Sequence, residues 1–308
     1  MINPYRFSDT NKRYYTVDYF FRNKFGCKVY KVPLDAGFTC PNIDGRCSYG
    51  GCTYCSGRGS GDFAADNRLS IEEQYAAGRK MMSEKWQGKC IPYFQAHTNT
   101  YAPEPVLRKL FCSALSLPDA VGLSIATRAD CLEDDVVALL HEISRRTFLT
   151  VELGLQTVHD DTARRINRGH DFEAFLRGYE KLKGIDVCIH LINGLPGEDY
   201  DMMLKNATTV GALHPWGIKF HVLYIQKGTR MEKEYADGDI TLPTLEEYTR
   251  IICDQLERIP EDIVIGRICG DAPQGELIAP AWSRKKLVVM NEIDKALTKR
   301  DSYQGKFV

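Results

Sequence analysis

From about residue 28 the chain alternates short apolar runs with amphipathic stretches. The runs 28–33, 91–95, 121–126, 148–154, 187–192 and 218–224 have strand length and strand composition. The stretches between them carry a helical period. In 132–146 the apolar residues Val136, Val137, Leu140 and Ile143 fall on one helical face. Ser70-x-x-Glu73 is a capping box that opens one helix, and 172–182 and 200–213 repeat the theme. Strand–helix alternation of this kind predicts parallel strands joined by helical crossovers. Six units suit a partial (β/α)6 barrel, an α/β fold of the TIM-like kind, and in such barrels chemistry gathers at the C-terminal strand ends. The polar residues Gln95, Thr127 with Arg128, Gln156, Asn193 and Gln226 stand at those ends.

After Met231 the pattern changes. Thr244-x-x-Glu247 caps a helix running to about Arg258, a short strand at 263–268 leads into the polar turn 269–271, and a last helix spans 283–299. The expected organisation is an N-terminal segment 1–27, a core barrel 28–230 and an α-rich C-terminal extension 231–308.

Bulk properties narrow the class. The 308 residues are 44% hydrophobic and 26% charged, with a net charge of −1, which gives no global pull toward nucleic acid or membrane. No apolar run reaches the ~18 residues of a membrane span. The polar start up to Lys12 predicts no secretory signal. The eleven cysteines are an odd number, which argues for a reducing, cytoplasmic setting over a disulfide framework. Cys27, Cys90, Cys112, Cys131, Cys188, Cys253 and Cys269 are scattered and read mostly as small buried apolar residues. The tail 279–308 holds seven Lys or Arg against three acids, a local patch able to neutralise phosphates or simply a solvated helix face.

Chemistry concentrates in Cys40-Pro-Asn-Ile-Asp-Gly-Arg-Cys47-Ser-Tyr-Gly-Gly-Cys52-Thr-Tyr-Cys55. Its glycines make it a loop, and a loop with several thiolates can wrap a metal centre. By spacing alone, an all-cysteine zinc knuckle and an iron–sulfur cluster compete, with a Cys52/Cys55 redox dithiol as a third reading. The loop follows the first strand and therefore sits at the barrel top, where a catalytic cluster belongs and a structural zinc has no need to be. Three cysteines on a cubane leave one iron open. Cys47 rivals Cys40 as the first ligand.

Cys40-x11-Cys52-x2-Cys55, with Tyr54 before the last cysteine, resembles the long-spaced signature of the radical S-adenosylmethionine (SAM) superfamily, in the branch of the Elongator catalytic subunit. Residues 37–42, Gly-Phe-Thr-Cys-Pro-Asn, match that branch and favour Cys40. Further motifs follow in order: Tyr93 to Thr100, Ala126-Thr127-Arg128-Ala129-Asp130, Glu152-Leu-Gly-Leu-Gln156 with Asn167-Arg168-Gly-His170, and His190-Leu-Ile-Asn-Gly194-Leu-Pro196-Gly. The resemblance covers roughly residues 25–230.

It implies a [4Fe–4S] cluster on Cys40, Cys52 and Cys55, SAM as co-substrate, and a reducing electron donor such as flavodoxin or ferredoxin. Reductive cleavage of SAM would give a 5′-deoxyadenosyl radical, which abstracts a substrate hydrogen. Tyr54, Gln95, Thr127, Gln156, Arg168 and His190 would contact SAM. Over its whole length the chain is similar to a bacterial subfamily that includes MnmL-type enzymes of transfer RNA modification. The substrate so implied is the anticodon loop, where 5-carboxymethylaminomethyluridine at the wobble position becomes 5-aminomethyluridine. Arg128, Lys219, His221 or Arg267 would meet the substrate carboxylate, and Glu152 would act on SAM ribose or on substrate. Lys219 and His221 share a strand face. The competing functions are a porphyrinogen-like small-molecule reaction and a non-catalytic metal- or heme-binding module.

Overall fold

The computed structural model describes residues 3–59, 61, 63–83, 87–270 and 275–308; Asp271, in the expected polar turn, lies outside them. The elements follow the chain as α1 (Val17–Phe25), β1 (Val29–Leu34), α2 (Ile71–Ser83), β2 (Lys89–Phe94), α3 (Glu104–Leu115), β3 (Gly122–Thr127), α4 (Asp134–Arg146), β4 (Phe148–Gln156), α5 (Asp160–Arg165), α6 (Phe172–Lys181), β5 (Asp186–Asn193), α7 (Tyr200–Ala212) and β6 (Gly217–Val222). Then come β7 (Ile225–Gln226), α8 (Arg230–Ala236), α9 (Leu245–Leu256), β8 (Val264–Arg267), β9 (Leu277–Ala279), a 3-10 turn at Ala281–Arg284 and α10 (Lys286–Lys299).

Helix α4 shows why the pattern folds as it does. Val136, Leu139, Leu140 and Ile143 are buried on one stripe, with Asp134 and Asp135 in the first turn and Arg145 and Arg146 in the last. These charges oppose the helix dipole at both ends. Each large apolar side chain buried there contributes about 1.5–3 kcal/mol. Helix α9 carries the capping box expected at Thr244 and Glu247.

The main sheet has seven strands in the order β1-β2-β3-β4-β5-β6-β8, every neighbouring pair parallel. It curls into a half-barrel with helices outside. The six expected strands are all present. The seventh, β8, comes from beyond residue 230 and pairs with β6, so the sheet crosses that boundary. The N-terminal segment is also structured. Thr16 caps α1 through the Tyr19 amide, Gly26 ends it with φ +70°, and Thr16 bridges to Ile265 of β8. Phe20, Phe21 and Phe25 pack on Phe148 and Trp216 and close the N-terminal end of the barrel. No helix among the described residues is long and apolar enough to cross a membrane.

Candidate active site

Alternation along each strand sends one set of side chains outward into the apolar core and the other into the barrel. The inward set lines a cavity of about 600 Å³: Val29, Lys31 and Pro33 from β1, Tyr93 and then Gln95 from the β2 end, Glu152, Gly154 and Gln156 from β4, His190 and Ile192 from β5, Lys219 and His221 from β6, and Arg267 from β8. The mouth lies at the C-terminal strand ends, beneath the cysteine loop.

That loop is held by the chain that follows α5. Asn167, in a left-handed turn with φ +53°, donates its side-chain amide to the carbonyls of Tyr49 (3.1 Å) and Gly51 (2.8 Å). The Thr53 amide bonds Ile166 O at 3.0 Å, and the Asn42 amide reaches Asn167 O. Gly45, Gly50 and Gly51 all have positive φ, which lets the loop reverse tightly. Cys40, Cys52 and Cys55 line the cavity, together with Tyr54; Cys47 is not part of that lining. The Cys47 thiol faces the Arg128 guanidinium at 3.7 Å and Asn42 Oδ1 at 3.8 Å. Burial pushes the Cys52 thiol up, against the pull of Arg128. Among the described residues no three His, Cys, Asp or Glu side chains gather as a single metal ion would require. The fit to a larger group rests instead on three thiols sharing one cavity wall. Of the scattered cysteines, Cys90, Cys131, Cys188, Cys253 and Cys269 are buried, and Cys27 and Cys112 are half-buried.

Deeper in the cavity a charged cluster surrounds Glu152, which is 1% exposed. Its Oε2 accepts from Tyr93 Oη at 2.6 Å, His190 Nε2 at 2.8 Å and Lys219 Nζ. Its Oε1 accepts from Ser124 Oγ at 3.1 Å and Lys31 Nζ. Burial opposes the charge on Glu152, but Lys219 and Lys31 overcome it and hold the carboxyl well below the usual range. Burial brings the Lys219 ammonium down to about 8 against the attraction of Glu152. Burial also lowers His190 to about 4, and, with His190 and Arg267 close by, holds His221 far below its ordinary value. Both imidazoles are therefore neutral at pH 7. The rings lie 5.2 Å apart.

The structure thus gathers Glu152, His190, Lys219 and His221 in one chamber and adds Lys31, Tyr93 and Ser124, which sequence reasoning had not given roles. A signal existed for Lys31: it is the one charged residue in β1. Arg128 also lines the cavity, on the side of the cysteine loop. It forms a two-pronged pair with Asp130 (2.9 and 2.8 Å) and donates to Arg168 O at 2.7 Å, bracing the loop. Arg168 lines the cavity, but its guanidinium bonds the carbonyls of Leu155, Thr157 and His170. Thr127 is hydrogen-bonded to Thr100. Gln95 and Gln156 line the mouth, Gln156 with φ +70° at a register shift in β4. In the basic tail, Arg300 pairs with Asp254 and Lys295 with Glu292.

A curled parallel half-barrel with three cysteines over its C-terminal mouth defines a class, and the sequence bears it out. The model of the radical SAM superfamily matches residues 42–209 and that of the Radical_SAM C-terminal domain matches residues 215–299; the chain belongs to the radical SAM superfamily. It is an enzyme of that superfamily, and membership implies a [4Fe–4S] cluster and SAM. Among individual proteins it is 52% identical to the uncharacterized protein YtqA of Bacillus subtilis over 99% of this chain and 96% of that one. It is 30% identical to the tRNA uridine(34) acetyltransferase of Methanocaldococcus jannaschii over 50% of this chain and 29% of that one. The solved structure of the archaeal Methanocaldococcus infernus Elp3 shares the fold, with a TM-score of 0.65 at 17% identity over 90% of this chain and 64% of that one.

Proposed function

We propose that this enzyme modifies the wobble uridine of transfer RNA, converting 5-carboxymethylaminomethyluridine to 5-aminomethyluridine: the carboxymethyl group is oxidised by two electrons and leaves, with addition of water, as glyoxylate, while SAM is reduced by two electrons to methionine and 5′-deoxyadenosine. The observation that carries the reading is the likeness, over half the chain, to enzymes named for transfer RNA uridine 34, joined to a cavity that combines three thiols with a charged interior. Cys40, Cys52 and Cys55 hold the cluster. When bound, the cluster and SAM supply a 5′-deoxyadenosyl radical, with electrons from a flavodoxin- or ferredoxin-type donor.

The chain's own residues bind, orient and exclude water. Tyr54 and Ile192 present apolar surface at the mouth, and Gln95 and Gln156 present amides for the polar parts of SAM. Thr127, paired with the Thr100 hydroxyl, and Arg168, held by backbone carbonyls, shape the mouth. Glu152 fixes Lys31, Tyr93, His190 and Lys219 in one arrangement, so their dipoles and charges are set before substrate enters. An anticodon base is accessible in a loop and can swing into such a chamber.

Nucleoside mass spectrometry tests this. Anaerobically reconstituted enzyme, given dithionite, SAM and transfer RNA carrying the carboxymethylaminomethyl group, is expected to yield 5-aminomethyluridine in step with 5′-deoxyadenosine. Deoxyadenosine formation with no change at the wobble base would refute the substrate.

A further inference from the structure

The interior of the cavity carries more positive charge than the catalytic groups already described make use of. Lys28 pairs with Asp18 near the closed end, Arg128 with Asp130, and Arg168 with backbone carbonyls. Lys31 and Lys219 share the single carboxylate of Glu152, and Arg267 lines the same wall. That carboxylate already accepts five hydrogen bonds, so it has no further capacity to compensate them. Positive charge exceeds negative in this largely buried chamber, an arrangement that favours a bound anion.

A second observation is independent of charge. His221 lines the same cavity, and its Nε2 is buried with no hydrogen-bond partner among the described residues. Buried ring nitrogens are nearly always paired, so an orphan on a side chain of the cavity wall points to a ligand contact. His221 lies two residues from Lys219 on the inward face of β6, and Lys219 stands in register with Arg267 on β8. Backbone closes the wall: a Cβ at Gly266 would meet the Lys219 side chain at 3.0 Å, and one at Gly270 would meet the Tyr224 hydroxyl at 2.8 Å and His221 Nδ1 at 3.3 Å.

We propose that Lys31, Lys219 and His221, with Arg267 on the same wall, form a subsite for a carboxylate substituent of the substrate. The proposal rests on reading this cavity as the reaction chamber. His221 in its Nε2–H form donates to the carboxylate, and Lys219 supplies the charge. Arg128, at the loop, takes no part. The groups facing Lys219 are Glu152 from β4, Lys31 from β1, Tyr93 from β2, Cys188 and His190 from β5, His221 from β6 and Arg267 from β8. Between pH 7 and 9 Glu152 stays charged, His190 and His221 stay neutral, and burial keeps Tyr93 and Cys188 protonated. Lys219, lowered to about 8, loses its proton in that window. Affinity for the anion is therefore full below pH 8 and falls as pH rises through it.

The test uses the cluster- and SAM-loaded enzyme without RNA, so its outcome is separate from that of the transfer RNA reading. Saturation-transfer NMR compares sarcosine with N-methylethanolamine, which replaces the carboxylate by a hydroxymethyl group. Sarcosine is expected to bind, with a signal that weakens above pH 8, and N-methylethanolamine is not. His221→Leu is expected to weaken sarcosine roughly tenfold or more, and His221→Gln, which keeps an N–H donor, to recover part of the loss. Equal binding of the two probes, unchanged affinity in His221→Leu, or displacement of sarcosine by equimolar methyl phosphate would overturn the proposal. If sarcosine binds as described while wobble uridine is left unmodified, the subsite stands and the transfer RNA substrate falls.

Discussion

The two halves of the cavity are built in opposite ways. At the mouth the chemistry comes from one contiguous loop, 40–55, whose thiols are set by local turns, by a brace from Asn167 and by the contact of Arg128 with Cys47. In the interior it comes from single residues on β1 to β6, each chosen by the alternation of its strand. The mouth keeps its groups close in sequence, so a change in one ligand leaves its neighbours in place. The interior depends on Glu152 as a hub, and removing the hub disturbs every strand around it.

This difference predicts a ranking of effects. The largest is functional: Cys52→Ala is expected to abolish the cluster and all 5′-deoxyadenosine formation, read by iron and sulfide assay and by chromatography, with the fold retained. Next comes Glu152→Gln, which strands buried Lys219 and half-buried Lys31 without a counter-charge. A loss of about 3–5 kcal/mol is expected from chemical denaturation. Pairing it with Lys219→Met should recover part of that loss, because the two sites share one interaction. A double variant no more stable than Glu152→Gln would break the picture of a coupled hub. A smaller effect is expected of Asn167→Ala, which removes two carbonyl contacts to the cysteine loop and puts alanine in a left-handed turn. About 1–3 kcal/mol follows from such losses, together with faster iron loss to a chelator. Asn167→Gly, free to keep the turn, should cost less. Smallest of all, Lys295→Gln breaks an exposed pair with Glu292 and should leave the unfolding midpoint unchanged within error.

The same contrast explains what could be read in advance. The loop was legible because its chemistry is a local string, and the strand-end motifs followed in an order that matched a known superfamily. The six strands were legible from apolar runs, since burial on the outer face leaves a strong pattern. Four-residue β8 was visible as a strand, but its place in the sheet was not, because pairing with β6 depends on tertiary closure that no local pattern encodes. Helix α1 was missed because its aromatic face, Phe20, Phe21 and Phe25, is understood only with Phe148 and Trp216 beneath it. Lys219 and His221 were paired by their i, i+2 spacing. Lys31 lies 121 positions from Glu152, a separation over which spacing carries no information. Arg128 and Arg168 line the cavity and also brace it, since a guanidinium satisfies carboxylates and carbonyls as readily as substrates.

The identity of the first cluster ligand is the point on which the mouth and interior connect, since it determines where the cluster sits above the charged chamber. Cys40 lines the cavity and Cys47 is turned to Arg128. The direct measurement is iron content and 5′-deoxyadenosine yield of Cys40→Ala and Cys47→Ala, each reconstituted anaerobically beside the parent enzyme. Cys47→Ala should match the parent at about four irons per chain and keep its SAM cleavage, while Cys40→Ala should lose both. Retention in Cys40→Ala with loss in Cys47→Ala would contradict the assignment of the cavity wall as the cluster site.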